Sequence, residues 1–296
     1  MLTYGQAILL GIIQGVTELF PVSSLGHTVI LPALFGWSDV VAAQSAAESY
    51  WLAFLVGLHV ATALALLFYY RATWARLLTA GVRTMRSRRV ETPDERLIWL
   101  LVIATIPAGV VGILAEHALR VLFARPLAAS LFLIVNGVVL LVGEWARSRG
   151  IARRAVASHA RTRRGDRRLD TLEVREALAV GFAQVLALLP GISRSGITMV
   201  AGLLRGLDHE DAARFSFLLA TPIILAAGLY KLPDLLGPNG DGVQLQVLAG
   251  SVAAAVGAYL SVRFLERWFR TNTLLPFAVY SLIVGVLAAA RFGLFG

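Results

Sequence analysis

Two short stretches place reactive side chains where apolar ones would be expected. The first, GIIQGVTELFPVSSLGHTVILP (Gly11–Pro32), is hydrophobic enough for a bilayer, yet it carries Gln14, Glu18, Ser23, Ser24 and His27. Gln14 and Glu18 stand four residues apart and share one face of a helix. A carboxylate beside an amide oxygen is a donor set for a hard divalent cation such as Mg or Ca, which keeps waters and binds substrate phosphates. Ser24 and His27 stand three apart, so a neutral imidazole can take a proton from a hydroxyl or from water. Ser24, His27 and a water molecule are all open as the attacking group at this stage. Stranding an ionised side chain at that depth costs about 2.5–3.5 kcal/mol on insertion scales, which makes Glu18 a functional candidate.

The second stretch, PGISRSGIT (Pro190–Thr198), sets Arg194 between Gly191 and Gly196, with Ser193, Ser195 and Thr198 beside it. Glycines let backbone N–H groups approach an anion closely. A guanidinium adds a planar charge that matches phosphate oxygens two at a time. The plainer readings are that Gly and Ser serve only to pack membrane helices, and that Glu18 is a structural partner of Arg194. His59, inside FLVGLHVATALALL, is an isolated polar group on an apolar span and is expected to be a structural hydrogen-bonder.

The two stretches are related. At a constant offset of 170, six pairs are identical: Gly11/Gly181, Gln14/Gln184, Leu19/Leu189, Ser23/Ser193, Gly26/Gly196 and Thr28/Thr198. They diverge where the reactive groups stand, with Glu18 opposite Leu188, Ser24 opposite Arg194 and His27 opposite Ile197. One copy supplies acid, hydroxyl and imidazole; the other supplies a guanidinium among hydroxyls. That division suits phosphate chemistry.

The elements that must hold these groups follow from hydropathy. The chain has 296 residues, of which 57% are hydrophobic and only 15% charged, against roughly 25% charged in soluble domains. Six apolar spans are expected, at about Trp51–Tyr70, Leu97–Leu114, Leu127–Val142, Phe215–Tyr230, Val243–Val262 and Thr273–Ala290. Tyr4–Trp37 and Ala177–Leu207 are apolar but broken in the middle by Pro, Gly and Ser. With three spans after each broken segment, the two segments enter from opposite faces. The expected fold is an all-α integral membrane protein with an inverted-topology repeat, six transmembrane helices and two re-entrant helical hairpins. Irregular backbone at the midplane is tolerated where it lines a cavity, and half-helix N-termini there point at anions. The chain divides as one membrane domain, 1–296: a first repeat at 1–146, a basic cytoplasmic loop at 147–175 and a second repeat at 176–296.

Charge sets the orientation. Six arginines fall within Arg71–Arg89 and ten within Arg147–Arg175, two loops that share a side. Arg263, Arg267 and Arg270 join them, leaving Arg120, Arg125, Lys231 and Arg291 on the other side. This is the positive-inside bias, and it accounts for the net charge of +9 without a nucleic-acid partner. RTRRGDRR within the second loop is suited to anionic lipid headgroups. No cysteine is present, which excludes disulfides and thiol chemistry. No Lys or Arg precedes Arg71, so the basic leader of a signal peptide is not expected.

These motifs resemble those of the bacterial undecaprenyl-pyrophosphate phosphatases, also called bacitracin-resistance proteins. The first signature stands here as Gln14-Gly-Val-Thr-Glu18 with Pro21-Val-Ser-Ser-Leu-Gly-His27, and the second as Pro190-Gly-Ile-Ser-Arg-Ser-Gly-Ile-Thr198. RFSFLLATPIILAAG (Arg214–Gly228) looks like the family's next span, so the resemblance runs nearly end to end. It implies a multi-pass enzyme of the bacterial plasma (inner) membrane with an outward-facing pocket. Its reaction would remove the terminal phosphate of a polyprenyl diphosphate and recycle the lipid carrier for cell-wall synthesis. Catalytic roles carry over to Glu18, Ser24, His27 and Arg194. Substrate binding falls to Gln14, Ser23, Ser193, Ser195, Gly196 and Thr198, and a divalent cation, Mg or Ca, to Glu18 with Gln14. Gln14 departs from the stronger ligand, Glu, that the pattern also permits. The competing expectation is a lipid-phosphate flippase or secondary transporter without hydrolysis, since inverted repeats serve transporters equally. A homodimer is also left open.

Overall fold

In lipid the backbone must satisfy its own hydrogen bonds, and an α-helix does so within a single segment. The computed structural model describes residues 2–46, 49–115, 125–157, 167–230, 237 and 242–294. These residues form helices and no strand; Arg167 and Leu207 make one isolated bridge. The first half contains α1 (Tyr4–Thr17), α2 (Ser24–Leu34), α3 (Ser38–Ser45), α4 (Tyr50–Tyr69), α5 (Arg71–Ser87), α6 (Pro93–Leu114) and α7 (Pro126–Ala157). The second contains α8 (Val174–Val185), α9 (Arg194–Leu204), α10 (His209–Tyr230), α11 (Gln244–Trp268) and α12 (Leu275–Leu294).

Six helices (α4, α6, α7, α10, α11 and α12) are long and apolar enough to cross a membrane, matching the six expected spans. The chain is an all-α, multi-pass integral membrane protein. On α11, Leu248, Val252, Val256 and Leu260 recur every fourth residue and are exposed, while Val247, Ala254, Ala258 and Val262 are buried. Apolar side chains on both faces are what a helix between protein and lipid requires. Hydropathy did not resolve α3, nor did it resolve α5, whose arginines share the helix with exposed Leu78, Val82 and Met85. The helix α7 runs on past Arg147 to Ala157, so the basic segment begins as helix. Arg120, Lys231 and most of RTRRGDRR lie outside the described residues.

Both broken segments are helix–turn–helix units. The helix α1 has 14 residues, about 21 Å at 1.5 Å per residue, short of the roughly 30 Å of bilayer hydrocarbon. It ends at Glu18 and the chain restarts at Ser24; in the second unit a 3-10 turn, Leu186–Leu188, follows α8 before the chain restarts at Arg194. Each first helix lies against a span of the other half, α1 on α11 and α8 on α6. Glycines allow this contact. A Cβ on Gly11 would stand 2.2 Å from the Gly250 carbonyl oxygen, and one on Gly15 equally close to that of Ala254. On the other side Gly181 meets Ala104 in the same way, at 2.5 Å. Small residues at one-turn spacing therefore interlock the halves backbone to backbone.

The arginine-rich face is tied by carboxylates. Glu266 of α11 accepts hydrogen bonds from the hydroxyls of Tyr69 and Tyr70, each at 2.7 Å. Glu144 of α7 lies 2.6 Å from His209 Nε2 and accepts from the Leu274 amide at 2.7 Å. Together they fasten the ends of α4, α10, α11 and α12 on that face, the last by way of Leu274, with Glu144 reaching out from within α7.

Candidate active site

The turn after α1 is shaped by Ser23, a non-glycine residue at φ 68°. Such a backbone is unfavourable for an L-residue and persists where surrounding contacts hold it. The contacts are present. Ser23 Oγ accepts from the amides of Gly26, at 3.2 Å, and Gly191, at 3.1 Å. Ser193, at the matching place in the second unit, caps α9 by accepting from Gly196 N at 3.1 Å. Ser195 Oγ donates to the Phe20 carbonyl at 3.2 Å. Asn136 of α7 lies between the turns: its amide group donates to the Pro21 carbonyl at 3.0 Å and its oxygen accepts from Ser193 N at 2.9 Å. Gly191 sits at φ 109° with backbone of α7 so near that a Cβ would stand 2.3 Å from Ala129 O. No other residue type fits there.

This stitching brings the divergent positions together. Arg194 Nη2 donates to Glu18 Oε1 at 2.8 Å, and Nη1 donates to the Ser216 carbonyl at 3.1 Å. Ser24 Oγ donates to Glu18 Oε2, which also accepts from Gln14 Nε2 at 3.1 Å. Glu18, Ser24 and Gln14 are buried, and the Arg194 side chain is 13% exposed. A buried ion pair of this kind is costly to break singly, by about 3–5 kcal/mol.

Beside the pair opens a cavity of about 340 Å³. Its polar wall is Thr17, Glu18, Ser23, Ser24, His59, Ser193 and Arg194. Its apolar wall comes from Leu52, Leu55 and Val56 of α4, Leu188 and Ile192 of the second turn, and Ile223, Ile224 and Ala227 of α10. A polar end continuous with an apolar slot suits an amphiphile with an anionic head and a hydrocarbon tail.

The sequence-derived candidates separate into two groups. Glu18, Ser23, Ser24, Ser193 and Arg194 line the cavity. Ser195, Gly196 and Thr198 are buried behind it; Thr198 Oγ1 donates to Ser216 Oγ at 2.8 Å and so fixes α9 to α10. Gln14 stands behind Glu18, its Oε1 buried without a hydrogen-bond partner. His27 turns away from the cavity: Nδ1 lies 2.7 Å from the Ser23 carbonyl and Nε2 lies 2.8 Å from the Tyr280 hydroxyl, with the rings stacked. His59, read from sequence as a structural hydrogen-bonder, bonds the Leu55 carbonyl through Nδ1 at 2.8 Å and also forms part of the cavity wall, its Nε2 3.6 Å from Glu18 Oε2. Nothing local marks it, because only the packing of α4 beside the first turn aims it there. Among the described residues no group of three His, Asp or Glu side chains could hold a metal ion.

The arrangement is a charge-compensated hydroxyl. Glu18 can accept the proton of Ser24, and Arg194 can donate hydrogen bonds to phosphate oxygens. Residues 7–287 match the family model described as bacitracin resistance protein BacA. Among curated relatives, undecaprenyl-diphosphatase 2 of Frankia alni is 52% identical, covering 99% of each chain. The undecaprenyl-diphosphatase of Mycolicibacterium paratuberculosis is 54% identical over 96% of this chain and 95% of its own. That of Granulibacter bethesdensis is 47% identical with the same coverage. Such identity along almost the whole length, with both turn motifs present, leaves one conclusion: the chain belongs to the bacitracin resistance protein BacA family.

Proposed function

We infer that this protein hydrolyses undecaprenyl diphosphate to undecaprenyl phosphate and inorganic phosphate. The observation that carries the reading is the Glu18–Arg194 pair with Ser24 on its carboxylate, at the polar end of an apolar cavity. The tail lies along α4 and α10 and the diphosphate enters between the turns. Arg194 shifts part of its hydrogen bonding from Glu18 to the phosphoryl oxygens, where charge accumulates in the transition state. Ser24 is the favoured attacking group, because its hydroxyl faces the cavity and already donates to a carboxylate. His27 serves by holding the Ser23 carbonyl, and with it the restart of α2.

The Glu18 oxygens are engaged by Arg194, Ser24 and Gln14, and the unpartnered Gln14 Oε1 lies off the cavity wall. Of the two expected ligands only Glu18 reaches the cavity wall, so it would be the protein's ligand to a Mg or Ca ion, which would supply charge neutralisation to the headgroup.

Both helix–turn–helix units are proposed to be re-entrant, with the cavity opening outward from the bacterial plasma membrane. The support is positional. Cavity residues come from the half of α4 remote from Arg71 and the half of α10 remote from the Glu210–Arg270 pair. Positive-inside orientation puts those arginines in the cytoplasm.

The test is release of inorganic phosphate from farnesyl diphosphate and longer homologues by purified protein, with and without a chelator. The wild type should release phosphate with a divalent cation present. Arg194→Ala should insert normally and release none above background; near-normal turnover by that variant would sink the reading.

A further inference from the structure

Two imidazoles stand near Ser24, and they differ in which nitrogen is free. A backbone carbonyl only accepts, so in each ring the Nδ1 facing one carries the proton and the neutral ring leaves Nε2 as the base. For His27 the carbonyl is that of Ser23 at 2.7 Å, and its Nε2 already accepts from the Tyr280 hydroxyl at 2.8 Å. For His59 the carbonyl is that of Leu55 at 2.8 Å. Its Nε2 looks across 3.6 Å at Glu18 Oε2, beyond hydrogen-bond reach, on the cavity wall and with its side chain 29% exposed. The other charged side chains on that wall are Glu18 and Arg194. One is engaged with Ser24, and the other is a permanent cation. Of the groups lining the cavity, His59 alone offers an uncommitted basic nitrogen.

We propose that His59 is the general base for the second half of the reaction, taking a proton from the water that hydrolyses phosphorylated Ser24. The proposal rests on the phosphatase reading with Ser24 as nucleophile. In the first half Ser24 Oγ bonds to the terminal phosphorus as its proton passes to Glu18 Oε2. The bridging P–O bond breaks, its electron pair leaving on the polyprenyl phosphate. In the second half the water oxygen bonds to that phosphorus and one water proton goes to His59 Nε2. The P–Oγ bond breaks and Oγ recovers its proton from Glu18. His59 then returns its proton to solvent through the cavity, and the balance is one diphosphate plus one water giving one lipid monophosphate and one phosphate. Glu18, protonated in the first half, cannot take a proton from water until it has returned its own to Oγ. A separate nitrogen 3.6 Å from that carboxylate meets that need.

The experiment is rapid-quench turnover of farnesyl diphosphate by full-length wild type and His59→Gln in detergent. Farnesyl phosphate and inorganic phosphate are measured separately, and Ser24 is examined by intact and peptide mass spectrometry. Wild type should release the two products in step. His59→Gln should release one equivalent of farnesyl phosphate per enzyme and then stall with a phosphoryl group on Ser24. Its inorganic phosphate release should fall by about 10²–10⁴-fold, the range for loss of a positioned base. If both products keep pace at the wild-type rate, or decline together with no phosphoenzyme, the proposal is overturned. Should the Gln variant not fold, His59→Ala decides: added imidazole restores phosphate release if His59 is the base, and no restoration overturns it. Absence of any product from wild type would instead remove the phosphatase reading, and this proposal with it.

Discussion

Glu18 is held from both oxygens, and each contact has its own cost when removed. Glu18→Gln keeps the shape but loses the charge that pairs with Arg194 and receives the Ser24 proton. Phosphate release by this variant should fall at least 10²-fold, as expected for loss of a proton acceptor, and its detergent melting temperature should fall as well, because the buried Arg194 charge is left without its partner. Tyr280→Phe separates a positioning role for His27 from a catalytic one. It removes a single hydrogen bond, worth about 0.5–1.5 kcal/mol, from a ring that faces away from the cavity. If His27 only positions the turn, kcat measured on farnesyl diphosphate drops no more than about tenfold, by the same energy scale. A loss as large as that of Glu18→Gln would mean the ring itself enters the chemistry. At this scale the sequence was legible at most positions where the repeat diverges: Glu18, Ser24 and Arg194 break the internal symmetry and meet in space, whereas His27 also breaks it and turns away. It was silent on ring orientation. The partner that turns His27 away is 253 positions along the chain, and His59 looks like any isolated histidine on an apolar span until α4 is packed beside the first turn.

The helices show the same contrast between what composition dictates and what contact dictates. All six spans were readable because about 20 apolar residues in a row have few alternatives. The extension of α7, and α3 and α5, were not, since their polar residues give helix and loop similar standing. The glycines that interlock the halves could be read as a spacing but not as a contact. Gly15→Leu tests that contact. Its side chain would collide with the Ala254 carbonyl, and overpacking of this kind costs typically 1–3 kcal/mol or more. Lower yield in detergent and a reduced melting temperature are the expected outcome, with Gly5→Ala, where a Cβ meets nothing within 4 Å, as the unaffected control. A wild-type melting curve for Gly15→Leu would show that α1 and α11 can separate without penalty.

Over the whole molecule, orientation is the quantity that charge bias predicts and geometry organises. The chain has no cysteine, so single cysteines can be introduced without removing any. Ser87→Cys, exposed at the end of α5, should react with an impermeant maleimide only after cells are opened. Ser38→Cys, exposed at the start of α3, should react in intact cells. Reversal of that pattern would place the cavity mouth inside. Finally, the pinning of the two turns through Ser23, Asn136 and Ser195 bears on how cargo could travel. A carrier works by opening to each side in alternation, which requires its two gates to part at the centre. Here the centre is a rivet, and parting it would strand several amides and carbonyls in a dry interior at once, each at about 1–3 kcal/mol. Passage of a headgroup between the two turns would therefore have to break those hydrogen bonds together.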